Sequence, residues 1–245
     1  MPVMLHKKRD YVRFEDIGTQ GVMTPVSVMR RFQEATNEHA VLMDVTHPQL
    51  EARCGGRWII AKMRMEFDRH PGEGEEYQVS TWPLSPGGIK ATRCYLLRDG
   101  NGETYVRCVS EWCILNIETG ELVRIREDFY PRNAEHLTDK PEVQRYKAAA
   151  YEPAEADFSY ERVIRPSDLD HNGHTNNLHY IDMATDCFPS SALPDGGVKA
   201  MEIHFLRQSF EGDRIRIYCR EAQPGLFQIQ GVCEGNPVFR SVIEL

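Results

Sequence analysis

Apolar and polar residues alternate along this chain with two different periods, and each change of period marks an element. From residue 24 the spacing is helical. Val28, Phe32, Ala35 and His39 fall on one face, and Arg30, Arg31, Gln33, Glu34 and Glu38 fill the rest of the turn. Thr24 is a favourable N-cap and Pro25 suits the first helical position, so a helix is predicted over residues 24–43. The period then shortens to two. Residues 58–67, 77–82, 91–98 and 105–116 are rich in β-branched and aromatic side chains. In the last run Val106, Cys108, Ser110, Trp112 and Ile114 alternate with Tyr105, Arg107, Val109, Glu111 and Cys113. Asp99-Gly-Asn-Gly102 between two runs predicts a hairpin.

The same order then returns. A second helix is predicted from Thr175 or Asn176 to just before Pro189, with Leu178, Ile181, Thr185 and Phe188 on one face. The stretch from Met65 aligns without a gap with that from Ile203, at an offset of 138 residues (Gly74 against Gly212), sharing Phe67/Phe205, Arg69/Arg207 and Glu73/Glu211. Residues 102–111 resemble 235–244. Between the halves, residues 127–159 are rich in Pro, Glu, Lys and Ala with little periodicity; they read as a connection holding a short helix over 142–150. A helix followed by mostly antiparallel strands, occurring twice, is an α+β class. The expected division is a first domain at 1–130, a linker at 131–158 and a second domain at 159–245.

Composition narrows the function. At 245 residues and 41% hydrophobic, the chain suits one large domain or two fused units. No apolar run approaches the ~20 residues of a membrane helix. The first ten residues lack the apolar stretch of a signal peptide, so a cytoplasmic protein is expected. A net charge of −8 argues against nucleic-acid binding. The basic runs Lys7-Lys-Arg9 and Arg30-Arg31 read as solvated faces. Seven Cys without a CxxC pair read as buried thiols of a reducing compartment. His171, His174 and His179 lie close together, but no metal-binding spacing accompanies them, and no metal is expected.

Reactive side chains concentrate in Asp168-Leu-Asp-His-Asn-Gly-His-Thr-Asn-Asn-Leu-His-Tyr180. Asp170, Asn172 and His174 occupy every second position, so an extended or turn-like backbone points them to one side. The helix start that follows offers free backbone N–H groups. A carboxylate, an amide and an imidazole beside such donors provide a base, a polarising group and an oxyanion site for hydrolysing an acyl bond. Asp and Asn are also ordinary turn formers and helix caps. The equivalent first-half turn, Asp16-Ile-Gly-Thr-Gln-Gly-Val-Met-Thr24, has no His and no Asp-x-Asn spacing. One active site per chain is therefore expected, in the second half.

This string, preceded by Val163-Ile-Arg-Pro-Ser, resembles the acyl-acyl-carrier-protein (acyl-ACP) thioesterases of bacterial and plant type, whose motif is close to D-L-D-x-N-x-H-V-N-N-x-x-Y. First-half stretches around residues 28–40, 58–77, 81–83 and 98–125 resemble the family too, so the likeness covers nearly the whole chain. It implies a tandem double hot-dog fold, each half a long helix wrapped by an antiparallel sheet. It implies hydrolysis of acyl-ACP to free fatty acid, ending fatty acid synthesis, with acyl carrier protein as partner and no cofactor. It marks Asp170, Asn172 and His174 as catalytic. The family places a further acid or thiol in the strand after the second helix, here residues 202–209, where Gln208 stands for Glu and Ser209 for the plant-type Cys. Gln cannot ionise. Gln208 is therefore expected to contribute only through its amide, by positioning water, and Asp170 is the preferred base. Met29, Phe32 and Met43 are candidates for an acyl-pocket wall, or simply core, and Asn176 is a further substrate-binding candidate. The alternatives are an acyl-coenzyme A thioesterase and a non-catalytic acyl-binding hot-dog protein; a dehydratase-like site needs a different placement of His and acid. Two hot-dog units in one chain suit a monomer that mimics a dimer, or a homodimer.

Overall fold

The structure is a computed structural model that describes residues 4–126, 129–130, 136–194 and 197–245. In chain order the first half holds β1 (His6–Tyr11), α1 (Pro25–Leu42), α2 (His47–Cys54), β2 (Gly56–Phe67), β3 (Glu76–Pro83), β4 (Ala91–Arg98), β5 (Thr104–Asn116) and the short β6 (Leu122–Val123). The second holds β7 (Phe158–Val163), α3 (Asn177–Thr185), β8 (Ala200–Phe205), β9 (Arg214–Gln223), β10 (Leu226–Cys233) and β11 (Asn236–Glu244).

The strands join one antiparallel sheet in the order β1-β3-β4-β5-β2-β8-β11-β10-β9-β7, with β6 on β5. Read from either end the order is the same once each first-half strand is replaced by its counterpart. The seam is β2 against β8, where Met63 pairs with Ile203, Arg64 with Glu202 and Met65 with Met201. Because side chains alternate across a strand, Met63, Met65, Met201 and Ile203 point to the inner face and enter one core shared by both halves.

The two helices cover that inner face. Val28, Met29, Phe32 and Ala35 of α1 and Ile181, Met183 and Ala184 of α3 are fully buried there, the apolar face the helical spacing requires. Thr24 caps α1, its Oγ1 accepting the Ser27 N–H at 3.2 Å.

Three expectations need correction. The pair Arg30-Arg31, expected on a solvated face, is not wholly so: Arg31 is buried and its Nη2 donates to both carboxylate oxygens of Asp16 at 2.6 and 2.7 Å, whereas Lys7 and Arg9 are exposed on an edge strand, β1, and a charged edge discourages pairing with another chain. Residues 142–150 form no helix. They lie across the sheet, where the Gln144 N–H donates to Glu66 at 2.6 Å and the Tyr146 N–H to Glu202 at 3.0 Å; these carboxylates take donors that a helix would use internally. The strand expected over 202–209 ends at Phe205, so Gln208 and Ser209 sit in irregular chain.

Candidate active site

Beyond β7 a single turn of 3-10 helix, Pro166–Asp168, leads into a hairpin closed by Leu169 against Thr175. Asp168 is buried and accepts the Arg165 N–H at 2.8 Å and an Arg162 N–H at 2.7 Å. Burial disfavours its charge, but the Arg165 N–H and then Arg162 outweigh it and hold the carboxyl below its ordinary range. Asp168 is thus a brace. At the hairpin tip the Asp170 N–H donates to His174 O at 2.8 Å and the Gly173 N–H to Asp170 O at 3.0 Å. Gly173 has φ +75°, which a side chain would strain.

This turn folds the sequence spacing into contact. Asp170 Oδ1 accepts the N–H of Asn172 at 2.8 Å and of His174 at 3.3 Å, and Oδ2 accepts Asn172 Nδ2 at 3.3 Å. All three residues are partly buried. The His174 ring stands edge-on to Phe210, centroids 5.2 Å apart. Asn176 caps α3, its Oδ1 accepting the Leu178 N–H at 3.1 Å. The Thr175 and Asn176 N–H groups are taken by Ser209 O and Asp168 O. Of the N–H groups over 175–177, only that of Asn177 is left without an acceptor among the described residues.

Gln208 is exposed, and its side chain makes no hydrogen bond to the hairpin among the described residues. Its neighbour Ser209 is fully buried. Ser209 Oγ lies 2.7 Å from both Thr175 Oγ1 and Tyr180 Oη, which ties the 206–210 segment to the hairpin.

Part of the site comes from the first half. Arg57 Nη1 donates to Asn172 Oδ1 at 2.6 Å, while its Nε pairs with Glu51 on α2. A cavity of about 360 Å³ opens beside the hairpin. Met43, Val45, Trp58, Ala91 and Trp112 give it a largely apolar wall, and His47 and His171 stand on its polar side. Burial, then the nearby Arg57 and His171, push the His47 imidazole below its ordinary range. Of the expected wall residues only Met43 lines this cavity. Met29 and Phe32 sit earlier on α1, fully buried in the core, with Phe32 stacked on Tyr95 at 4.7 Å.

Sequence reading missed α2, and with it His47 and Glu51; it also missed Arg57, at the start of β2. The signal was present: Thr46 is an N-cap, Pro48 lies in the first turn, Gln49 closes a capping box and Gly55 ends the helix at φ +63°. Eight residues with Leu50 alone buried leave too little periodicity to find it by hydrophobic spacing. Among the described residues no cluster of His, Cys, Asp or Glu is placed to hold a metal ion.

Residues 4–132 match the acyl-ACP thioesterase N-terminal domain, and residues 151–235 match the C-terminal domain of the same family. A palmitoyl-acyl carrier protein thioesterase of Cuphea hookeriana is 26% identical over 209 residues, 80% of this chain and 50% of that one. An oleoyl-acyl carrier protein thioesterase of Arabidopsis thaliana is 24% identical over 224 residues, 85% of this chain and 61% of that one. The chain thus spans about half to three fifths of the length of these curated relatives. Among solved structures, an acyl-ACP thioesterase from Bacteroides thetaiotaomicron superposes with a TM-score of 0.82 at 20% identity, covering 98% of this chain and 97% of that one. The 12:0-ACP thioesterase from Umbellularia californica does so with a TM-score of 0.85 at 20% identity, covering 98% and 96%. These two establish the double hot-dog fold. With the family matched over both halves, the chain belongs to the acyl-ACP thioesterases.

Proposed function

We propose that this chain hydrolyses the thioester of acyl-ACP and releases a free fatty acid. The observation that carries the reading is the meeting of two parts: a hairpin whose Asp170 carboxylate is oriented by three donors, and a largely apolar cavity whose wall reaches that hairpin at His171. The family, and the carrier-protein thioesters named for its plant relatives, support the substrate class.

In the proposed mechanism the acyl chain lies in the first-half cavity against Met43, Trp58 and Trp112, and the thioester carbon sits beside Asp170. A water oxygen adds to that carbon as Asp170 takes its proton. The developing oxyanion is met by the second Asn172 amide hydrogen and the Asn177 N–H. One such donor is commonly worth ~2.7–4 kcal/mol. Collapse breaks the carbon–sulfur bond, and His174 hands a proton to the departing thiolate. Gln208 is exposed and makes no hydrogen bond to the hairpin among the described residues, so the mechanism gives no step to the water-positioning role expected of its amide. Asn176 shapes the site by capping α3.

No helix among the described residues is long and apolar enough to cross a membrane. The free, largely buried thiols suit a reducing compartment, and the cytoplasm is the proposed location. The test is a panel of acyl-ACP and acyl-coenzyme A thioesters of graded length, with free acid and free thiol both measured. Release from acyl-ACP that is lost in Asp170→Asn supports the reading. Faster release from coenzyme A assigns the other carrier, and tight acyl binding with no acid formed overturns hydrolysis.

A further inference from the structure

We propose that Arg57 is the positioning residue that sets the Asn172 amide for the reaction, an inference that rests on the hydrolytic reading above. A carboxamide has an acceptor end and a donor end, a guanidinium only donates and a carboxylate only accepts. With Arg57 Nη1 at 2.6 Å from Oδ1 and Asp170 Oδ2 at 3.3 Å from Nδ2, Asn172 has a single amide orientation that satisfies both neighbours. That orientation leaves one Nδ2 hydrogen for the substrate oxygen. Without Arg57 the amide is free to rotate, and a flipped amide would set Oδ1 against the Asp170 carboxylate.

The first half is built to deliver this side chain. Gly55, at φ +63°, ends α2, and at Gly56 a Cβ would come within 2.4 Å of Ile114, so the turn from α2 into β2 admits only this tight path. The turn brings Arg57 back against Glu51 of the preceding helix, which pairs with Nε and leaves Nη1 aimed across to the hairpin. The planar fork of arginine serves both partners at once, which a lysine ammonium on a flexible stem does not reproduce. Arg57 and Glu51 are each about one-third exposed, so their pairing adds little to folding. The contact spans 115 residues of sequence and joins the half that holds the cavity to the half that holds Asp170.

The experiment uses the full chain with Arg57→Met, Arg57→Lys, Asn172→Ala and the double variant Asn172→Ala/Arg57→Met. For acyl-ACP hydrolysis, Arg57→Met should lower kcat by about 10-fold or more with little change in KM, since small misplacements of a reacting group are costly. The melting temperature should hold, and Arg57→Lys should recover only part of the loss. In the Asn172→Ala background Arg57→Met should cost nothing further. The Asn172 side-chain amide resonance, identified by its disappearance in Asn172→Ala, should shift in Arg57→Met. Unchanged kcat in Arg57→Met, or losses that multiply in the double variant, would overturn the proposal. If the wild-type chain releases no acid from any thioester, it is the hydrolytic reading that fails; the amide resonance still decides on Arg57, and an unmoved resonance overturns the assignment.

Discussion

In both halves a buried aspartate accepts the N–H of the residue three before it, Asp16 from Arg13 at 3.1 Å and Asp168 from Arg165 at 2.8 Å. Each also binds an arginine, Arg31 for Asp16 and Arg162 for Asp168. The hairpins that follow match bond for bond. The Gly18 N–H donates to Val22 O at 2.9 Å as the Asp170 N–H does to His174 O at 2.8 Å, and Gly21 and Gly173 turn at φ +74° and +75°. The Met23 N–H reaches Pro71 O and the Thr175 N–H reaches Ser209 O, both at 2.9 Å. What differs is the cargo: Gly18, Gln20 and Val22 stand where Asp170, Asn172 and His174 stand. The space behind differs too. His70, at the position equivalent to Gln208, is buried and stacked on Phe67, its ring nitrogens 2.9 and 2.7 Å from the carbonyl oxygens of Met23 and Val198. An imidazole packs against the first hairpin at Met23, where the second half has the exposed Gln208. The frame is shared by both halves, and the chemistry proposed for the second would be an addition to it.

The largest break in this comparison is chemical. Asp170→Asn should cut turnover by roughly 10²-fold or more and His174→Ala by a similar factor, with melting temperatures unchanged. Gln20→Ala, at the position matching Asn172, should leave turnover unchanged in the same assay. Next comes the shared brace. Asp168→Ala strips Arg162 and the Arg165 N–H of their acceptor and should cost roughly 2–3 kcal/mol by denaturant unfolding at neutral pH. The folded carboxyl lies below its unfolded value of about 3.9, so its contribution is full above that pH. It is lost as the pH falls through the folded value, and the gap between wild type and Asp168→Ala should close in acid. Ser209→Ala should cost roughly 1–2 kcal/mol, because the buried Tyr180 hydroxyl loses its partner; the first half has Pro71 at that position and no such bond to lose. Gln208→Glu should change kcat by about twofold at most, as expected of an exposed position; a large gain would mean that the carboxylate reaches the site after all. Smallest of all, Gly18→Asp/Gln20→Asn/Val22→His placed in an Asp170→Asn chain should restore no hydrolysis, because His70 still packs against the first hairpin at Met23.

Most of the fold was legible because its elements carry strong periodicity. The α1 face, the alternation of β5 and the repeat at 138 residues each lead to the observed sheet. The spacing of Asp170, Asn172 and His174 likewise led to a real cluster, because a turn with Gly173 at positive φ gathers them. Three features were hidden for physical reasons. A charged edge strand such as β1 looks like a solvated run. An eight-residue helix such as α2 has too short an apolar stripe to register. The contact of Arg57 with Asn172 is tertiary, spanning 115 residues, and no local pattern encodes it. Gln208 was placed by an alignment that carries residue identity but not exposure.

The seam between the halves has a consequence for assembly. Arg64 pairs with Glu202 across β2 and β8, Nε to Oε2 at 2.9 Å, and the two are separated by the same 138 residues that relate the repeats. Each is therefore its partner's counterpart, lying on the pseudo-twofold axis. In a true homodimer a residue on that axis meets its own copy. Two first halves would bury arginine against arginine, and two second halves glutamate against glutamate, like charges that disfavour association. Each half thus carries an instruction to refuse itself and accept the other. The tandem chain is an ordered pair of unlike partners, free to keep its chemistry on one side only.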